Sequence, residues 1–167
     1  MATSKFPTKL NDAQLALSSI GQYDVAASPL QMAMVAAGIA NDGVLMEPYL
    51  TKSVRAANLQ TVWTHKDTPM STPMTRESAK QLQQMMVSVV NNGTGRNARI
   101  DGVTVGGKTG TAQTSPDKPP YAWFVGWSDK PKVAVAVFVE SSNTERSEIA
   151  GGRLGAPIAR DVIEALR

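Results

Sequence analysis

The chain has 167 residues, 42% of them hydrophobic and 19% charged, with 17 basic against 14 acidic side chains for a net charge of +3. A chain of this length buries about two-thirds of its unfolded surface, so one ordinary folded domain, or part of one, is expected in place of disorder. With no cysteine and a single histidine, His65, the sequence excludes disulfides, cysteine nucleophiles and thiolate metal sites, and it leaves no imidazole cluster for zinc or for a serine-histidine triad.

In chain order, the first 27 residues hold two short apolar stretches, Ala13–Leu17 and Val25–Ala27, and read as loop and irregular helix. Ser28-Pro29-Leu30-Gln31 then starts a helix, with Ser as N-cap, Pro in the first turn and Gln spaced to close a capping box. That helix runs to about Asn41, stops at Gly43, and is apolar on nearly every side, the pattern of a buried core helix. Its apolar stretch is far short of the ~20 residues that span a bilayer, and the N-terminus lacks a signal-peptide core, so any membrane anchor is expected outside this sequence. Pro48–Val54 reads as a short strand. Ala56–Thr72, with Trp63, His65 and Pro69, has no sustained period; it reads as a surface excursion with room for one more edge strand, and His65 as a solvated surface residue.

From Thr75 the pattern is helical again, with Ala79, Leu82, Met85, Met86, Val89 and Val90 on one face and Asn92-Gly93 as the stop. The Met85-Met86 pair reads as core filling. Asn91–Gly95 is a turn whose residues suit positive backbone angles, and a strand begins near Val103. Tyr121–Trp127 and Lys132–Glu140 are β-rich runs at hairpin spacing, with Trp123 and Trp127 packing on the sheet. After Gly151-Gly152 an amphipathic helix turns Ile158, Val162, Ile163 and Leu166 inward. The expectation is an α+β fold, an antiparallel sheet with flanking helices, and no linker divides the chain. The basic excess is scattered, with no run of five like charges, so no nucleic-acid partner is expected.

Gly102 to Thr111 carries the chemistry and supports two incompatible readings. A glycine, four residues, then Gly107-Lys108-Thr109 spells a phosphate-binding P-loop. Such a loop needs a helix directly after the Lys-Thr pair to face the phosphate, and Gly110, Pro116, Pro119 and Pro120 forbid one. The other reading places Lys108-Thr109-Gly110 on a strand lining a cleft. Lys108 supplies positive potential there, Thr109 a hydroxyl for a substrate carboxylate, Gly110 room for a ligand, and the Thr111 N–H an oxyanion donor. The tripeptide alone does not separate this strand from an ordinary Lys-Thr-Gly on a sheet edge. Tyr121 is a candidate for the cleft border, and Arg146 and Arg153 flank the last loop where they would steer an anion. No metal site or cofactor is expected.

Further segments weigh in. Ser19-Ile20-Gly21-Gln22, Ser28-Pro29-Leu30-Gln31-Met32-Ala33, Ala40-Asn41-Asp42-Gly43, Pro48-Tyr49-Leu50, Lys108-Thr109-Gly110-Thr111-Ala112-Gln113, Ala122-Trp123-Phe124-Val125-Gly126, and Gly151-Gly152 with Ala156-Pro157-Ile158 occur in an order that closely resembles the transpeptidase domain of class B penicillin-binding proteins, its actinobacterial members most of all. The resemblance runs from about Phe6 to Arg167. It implies the C-terminal part of the β-lactamase/penicillin-binding transpeptidase fold, and a D,D-transpeptidase that cross-links peptidoglycan stem peptides through a serine acyl-enzyme which β-lactams also form. Lys108, Thr109, Gly110 and Thr111 are then the catalytic strand, with Lys108, Thr109, Thr111 and Tyr121 binding substrate. The parent is expected on the outer face of the cytoplasmic membrane.

The family's nucleophile motif, a serine with a lysine three residues on, and its Ser-x-Asn motif both precede the Ser19–Gln22 segment in family order. Both are expected upstream of this sequence, so residues 1–167 are the C-terminal portion of one domain whose nucleophile-bearing N-terminal half is its missing partner, supplied separately or by an intertwined second copy. Ser115-Pro116-Asp117-Lys118 copies the spacing but follows the Lys-Thr-Gly strand and reads as a loop; Ser141-Ser142-Asn143 reads as a turn. The alternative from another class is a non-catalytic scaffold module of a cell-wall synthesis complex.

Overall fold

The computed structural model describes residues 3–113 and 117–167. A regular helix, α1 (Asp12–Ser19), stands where loop and irregular helix were expected. Its origin is a reciprocal capping box: the Gln14 N–H donates to Asn11 Oδ1 at 2.9 Å and the Asn11 N–H to Gln14 Oε1 at 3.0 Å. Helix α2 (Pro29–Ala40) begins at the expected Ser28 cap, whose hydroxyl accepts the Gln31 N–H at 3.2 Å. It is not buried all round: Ala36, Gly38 and Ile39 face the interior while Leu30 and Val35 are exposed.

The expected Pro48–Val54 strand is replaced by two shorter ones either side of Pro48, which has no N–H to give a ladder. β1 (Leu45–Met46) pairs with β4 (Pro69–Ser71), and β2 (Ser53–Arg55) pairs with β3 (Thr61–Thr64), all antiparallel. The β2–β3 hairpin is exposed along its length, as the surface-excursion reading expects. His65 is half-buried instead of solvated, stacked on Tyr49 with ring centroids 3.6 Å apart.

Helix α3 (Arg76–Asn92) starts at Thr75 and ends at Gly93, as expected. Ala79, Met86 and Val90 are buried, but Met85 is more than half exposed and fills no core. The turn after it does not use positive angles: Gly93 has φ −112° and Gly95 φ −93°. Space favours glycine there, since a Cβ on Gly95 would meet Val89 Cγ1 at 3.2 Å and the Phe124 ring at 3.4 Å. α2 and α3 are tied together by Asp42, which accepts from Lys80 Nζ at 2.7 Å and Arg76 Nε at 3.2 Å, and by Gln83 Nε2 donating to the Ile39 carbonyl at 2.7 Å.

The main sheet has the order β5 (Val105–Ala112), β6 (Tyr121–Asp129), β7 (Lys132–Val139), antiparallel throughout. One face carries Val105, Phe124 and Val137 into a core with Val90, Ala98, Ile100 and the last helix, α4 (Gly151–Ala165). On the other face Trp127 packs over Gly106 and joins Ile39 and Met86. The α4 interface differs from expectation. Gly155, Ala156, Ala159 and Ile163 face the sheet, whereas Ile158, Val162 and Leu166 are 42–57% exposed. Where the helix comes close enough to touch strand backbone it presents small residues, so these three aliphatics turn outward and only Ile163 of the expected four points in.

Candidate active site

The Lys-Thr-Gly segment lies within β5, and Lys108 to Ala112 continue it as strand; the helix a P-loop requires is absent from that position. Because side chains alternate along a strand, Thr109 and Thr111 share the α4 face while Lys108 and Gly110 share the other. β5 pairs with β6 on one side, and among the described residues no strand covers its other edge.

Thr109, Gly110 and Thr111 line a groove of about 500 Å³ whose remaining walls are the Thr94–Asn97 turn and the start of α4, from Ala150 to Arg153. Close approaches lock these walls together. A Cβ on Gly151 would lie 1.9 Å from the Trp123 carbonyl oxygen, and one on Gly152 would lie 2.1 Å from the Thr94 carbonyl oxygen. Asn97 Nδ2 donates to the Gly152 carbonyl at 2.8 Å. Thr94 Oγ1 and Thr109 Oγ1 are 2.7 Å apart, a full hydrogen bond. The turn is held at its base by Gly93 and Gly95, whose N–H groups both donate to the Val89 carbonyl, at 3.1 and 3.0 Å.

Arg96 and Arg153 bring guanidinium groups to the groove, and no carboxylate is among its described lining residues. Arg153 also pairs with Glu148, and Arg96 Nε reaches the Gly93 carbonyl at 3.4 Å. A concave site lined by arginines and threonine hydroxyls suits an anion such as a carboxylate.

The two other expected site residues stand apart from this groove. Lys108 is exposed on the opposite face of β5, its Nζ donating to the Thr109 carbonyl at 2.8 Å. Tyr121 pairs with Ala112 on that same face, with its ring edge-on to Phe138 at 5.1 Å and Trp123 tilted against Phe138 at 4.7 Å. Of the two arginines expected to steer an anion, Arg153 lines the groove. Thr94, Arg96, Asn97 and Gly152 are site residues the sequence reading missed, and the one available signal, the Asn91–Gly95 turn, indicates a bend without saying what it bends toward. Ser115 lies outside the described residues, and Ser141–Asn143 are irregular chain after β7. A second groove of about 650 Å³ lies between Arg99, Asp101, Arg160, Glu164 and Arg167, with charges of both signs and none of the expected residues.

Residues 2–164 match the family described as the penicillin binding protein transpeptidase domain. The peptidoglycan D,D-transpeptidase PbpA of Mycolicibacterium smegmatis is 42% identical over 158 residues, covering 92% of this chain and 32% of that protein. Stage V sporulation protein D of Bacillus subtilis is 29% identical over 161 residues, covering 93% of this chain and 25% of that protein. Among solved structures, penicillin-binding protein A from M. tuberculosis as a ceftriaxone acyl-enzyme complex superposes with a TM-score of 0.89 at 38% identity, covering 98% of this chain and 38% of that one. This chain thus spans about a third of the length of the first of these relatives.

Proposed function

This chain belongs to the penicillin-binding protein transpeptidase domain family, and from that premise we propose that it supplies the substrate-binding wall of a peptidoglycan D,D-transpeptidase. Residues 1–167 are the C-terminal portion of one such domain, and the serine that forms the acyl-enzyme belongs to the portion that precedes it. The observation that carries this reading is the β5 segment Lys108-Thr109-Gly110-Thr111, with Thr109 to Thr111 lining a groove whose described charged lining residues are arginines.

In this reading a stem-peptide or β-lactam carboxylate sits against the Thr109 and Thr111 hydroxyls. The guanidinium charges of Arg96 and Arg153 favour it there. The uncovered edge of β5 takes the extended peptide as an added strand, while Gly110 leaves the approach open. The Thr111 N–H faces the developing oxyanion, a donor typically worth about 3 kcal/mol of transition-state stabilisation. Lys108, on the opposite side of the strand, meets the serine-bearing portion of the domain and holds positive potential at the reacting centre. The exposed Leu30 and Val35 on α2, and Ile158, Val162 and Leu166 on α4, are consistent with apolar surface covered by that portion. The acyl transfer takes place on the outer face of the cytoplasmic membrane, where peptidoglycan is assembled, and β-lactams are inhibitors.

Labelled penicillin on a denaturing gel tests the reading. The longer protein that carries this segment should be labelled, and Lys108→Ala should lower both labelling and cross-linking about a hundredfold, the scale of losing one electrostatic catalytic group. Undiminished labelling and cross-linking in that variant would leave the segment a scaffold and overturn the proposal.

A further inference from the structure

One hydrogen bond in the groove joins two side chains of different elements, and one of them has no role in the reading above. Thr94 follows the C-cap of α3; Thr109 is mid-strand in β5; their hydroxyl oxygens are 2.7 Å apart. We propose that Thr94 is a positioning residue that aims the Thr109 hydroxyl at the substrate carboxylate. The inference rests on the carboxylate-binding role proposed for Thr109.

The chemistry follows from hydroxyl valence. Each hydroxyl has one proton to donate and two lone pairs, so within the pair one oxygen donates and the other accepts. If Thr109 donates to Thr94, its proton is spent inside the protein. An anion in the groove reverses that choice: Thr94 donates to Thr109, and the Thr109 proton turns to the carboxylate. The two bonds then run in one direction and polarise each other, which strengthens the outer one. Without Thr94, the Thr109 hydroxyl rotates among its staggered positions and must be ordered at the moment of binding.

The surroundings hold Thr94 for this task. Gly152 touches the Thr94 backbone so closely that no other residue fits without displacing it, a Cβ there falling 2.1 Å from the Thr94 carbonyl oxygen and 3.4 Å from Thr109 Cγ2. Asn97, three residues on, ties the same turn to the Gly152 carbonyl at 2.8 Å. Gly95 is buried beneath it, against Val89 and Phe124. Helix α4, the turn and the strand therefore fix the oxygen–oxygen distance jointly.

The test compares Thr94→Val and Thr94→Ser with the parent in the longer protein that carries this segment. Acylation is measured with penicillin G and with its methyl ester, which lacks the anionic carboxylate. Thr94→Val keeps the shape and removes the hydroxyl. It should lower the acylation efficiency for the acid about tenfold, the value of one net hydrogen bond of roughly 1.4 kcal/mol. The loss should appear in the binding constant for the acid, leave the ester unchanged, and be restored by Thr94→Ser. An equal loss on acid and ester, or no loss on either, overturns the positioning role while leaving the transpeptidase reading intact. A parent that penicillin does not label overturns the reading itself and this inference with it.

Discussion

Gly152→Ala is the sharpest single perturbation of this structure, because two rules give opposite signs for it. Gly152 is a helical position of α4. Alanine is favoured over glycine by about 1 kcal/mol in a helix interior and by less in the first turn, where Gly152 stands, so propensity alone forecasts a small stabilisation. The contacts forecast the reverse. The added Cβ would lie 2.1 Å from the Thr94 carbonyl oxygen, and a carbon–oxygen contact needs about 3.3 Å, so the turn or the helix must retreat by about 1.2 Å. Overpacking of that kind costs about 1–3 kcal/mol. The retreat also breaks the Thr94–Thr109 and Asn97–Gly152 hydrogen bonds, at 2.7 and 2.8 Å, each worth about 1 kcal/mol. The net expectation is a destabilisation of about 2–4 kcal/mol. Gly38 in α2 is the control: its added Cβ would meet Leu45 Cδ1 at 3.7 Å, ordinary contact, so Gly38→Ala should stabilise by about 0.5–1 kcal/mol. Urea unfolding of the two variants and the parent, followed by tryptophan fluorescence, reads all three. A Gly152→Ala protein as resistant to urea as the parent would refute the claim that α4, the Thr94 turn and β5 are locked at this point.

The same reasoning reaches other positions. Ile163, fully buried, should cost about 2–5 kcal/mol as Ile163→Ala, whereas Ile158→Ala, at a position 45% exposed, should cost under about 1 kcal/mol in urea unfolding of the segment as it stands; the reverse order would mean α4 faces the other way. The Asp42 carboxyl is held below its ordinary value of 3.8, chiefly by the hydrogen bond from Lys80 and further by Gln83 and the charges of Lys80 and Arg76, with burial opposing. A depressed carboxylate stabilises the fold above its unfolded pKa and loses that contribution as pH falls through its folded value. Asp42→Asn should therefore be less stable than the parent near neutrality, with the two thermal melting curves converging as the pH drops below 3.8; parallel curves would remove the α2–α3 clamp from the account. Thr111→Val changes an exposed side chain, so it should leave the melting temperature unchanged while lowering β-lactam acylation about tenfold, the loss of one hydrogen bond to an anion.

Helices α2 and α3 were legible because their signals are local: Ser28-Pro29 and Thr75 are caps, Gly43 and Gly93 are stops, and each acts within a few residues of chain. The β6–β7 hairpin was legible for the same reason. α1 carried an equally local signal in Asn11-x-x-Gln14, but its apolar face is weak, and pattern reading follows the apolar face first. Of the inward face expected for α4, Ile163 is buried, but Ile158, Val162 and Leu166 are not, because amphipathicity ranks side chains by hydrophobicity. Beside Ile163 the sheet takes the small Gly155, Ala156 and Ala159, where backbones come close, and leaves Ile158 and Val162 outside.

The site divides along the same line. Lys108, Thr109, Gly110 and Thr111 could be singled out from the sequence because they are contiguous, and a strand sets their alternation without help from the rest of the chain. Thr94, Arg96, Asn97 and Gly152 could not, since they reach the groove from the end of α3 and the start of α4, separated from β5 by loops whose paths no local preference dictates. What joins them is the absence of side chains at Gly95, Gly151 and Gly152, which lets three backbones approach within contact distance. Local chemistry determined which residues are able to bind an anion; only close packing of distant backbones decided which of them face it together.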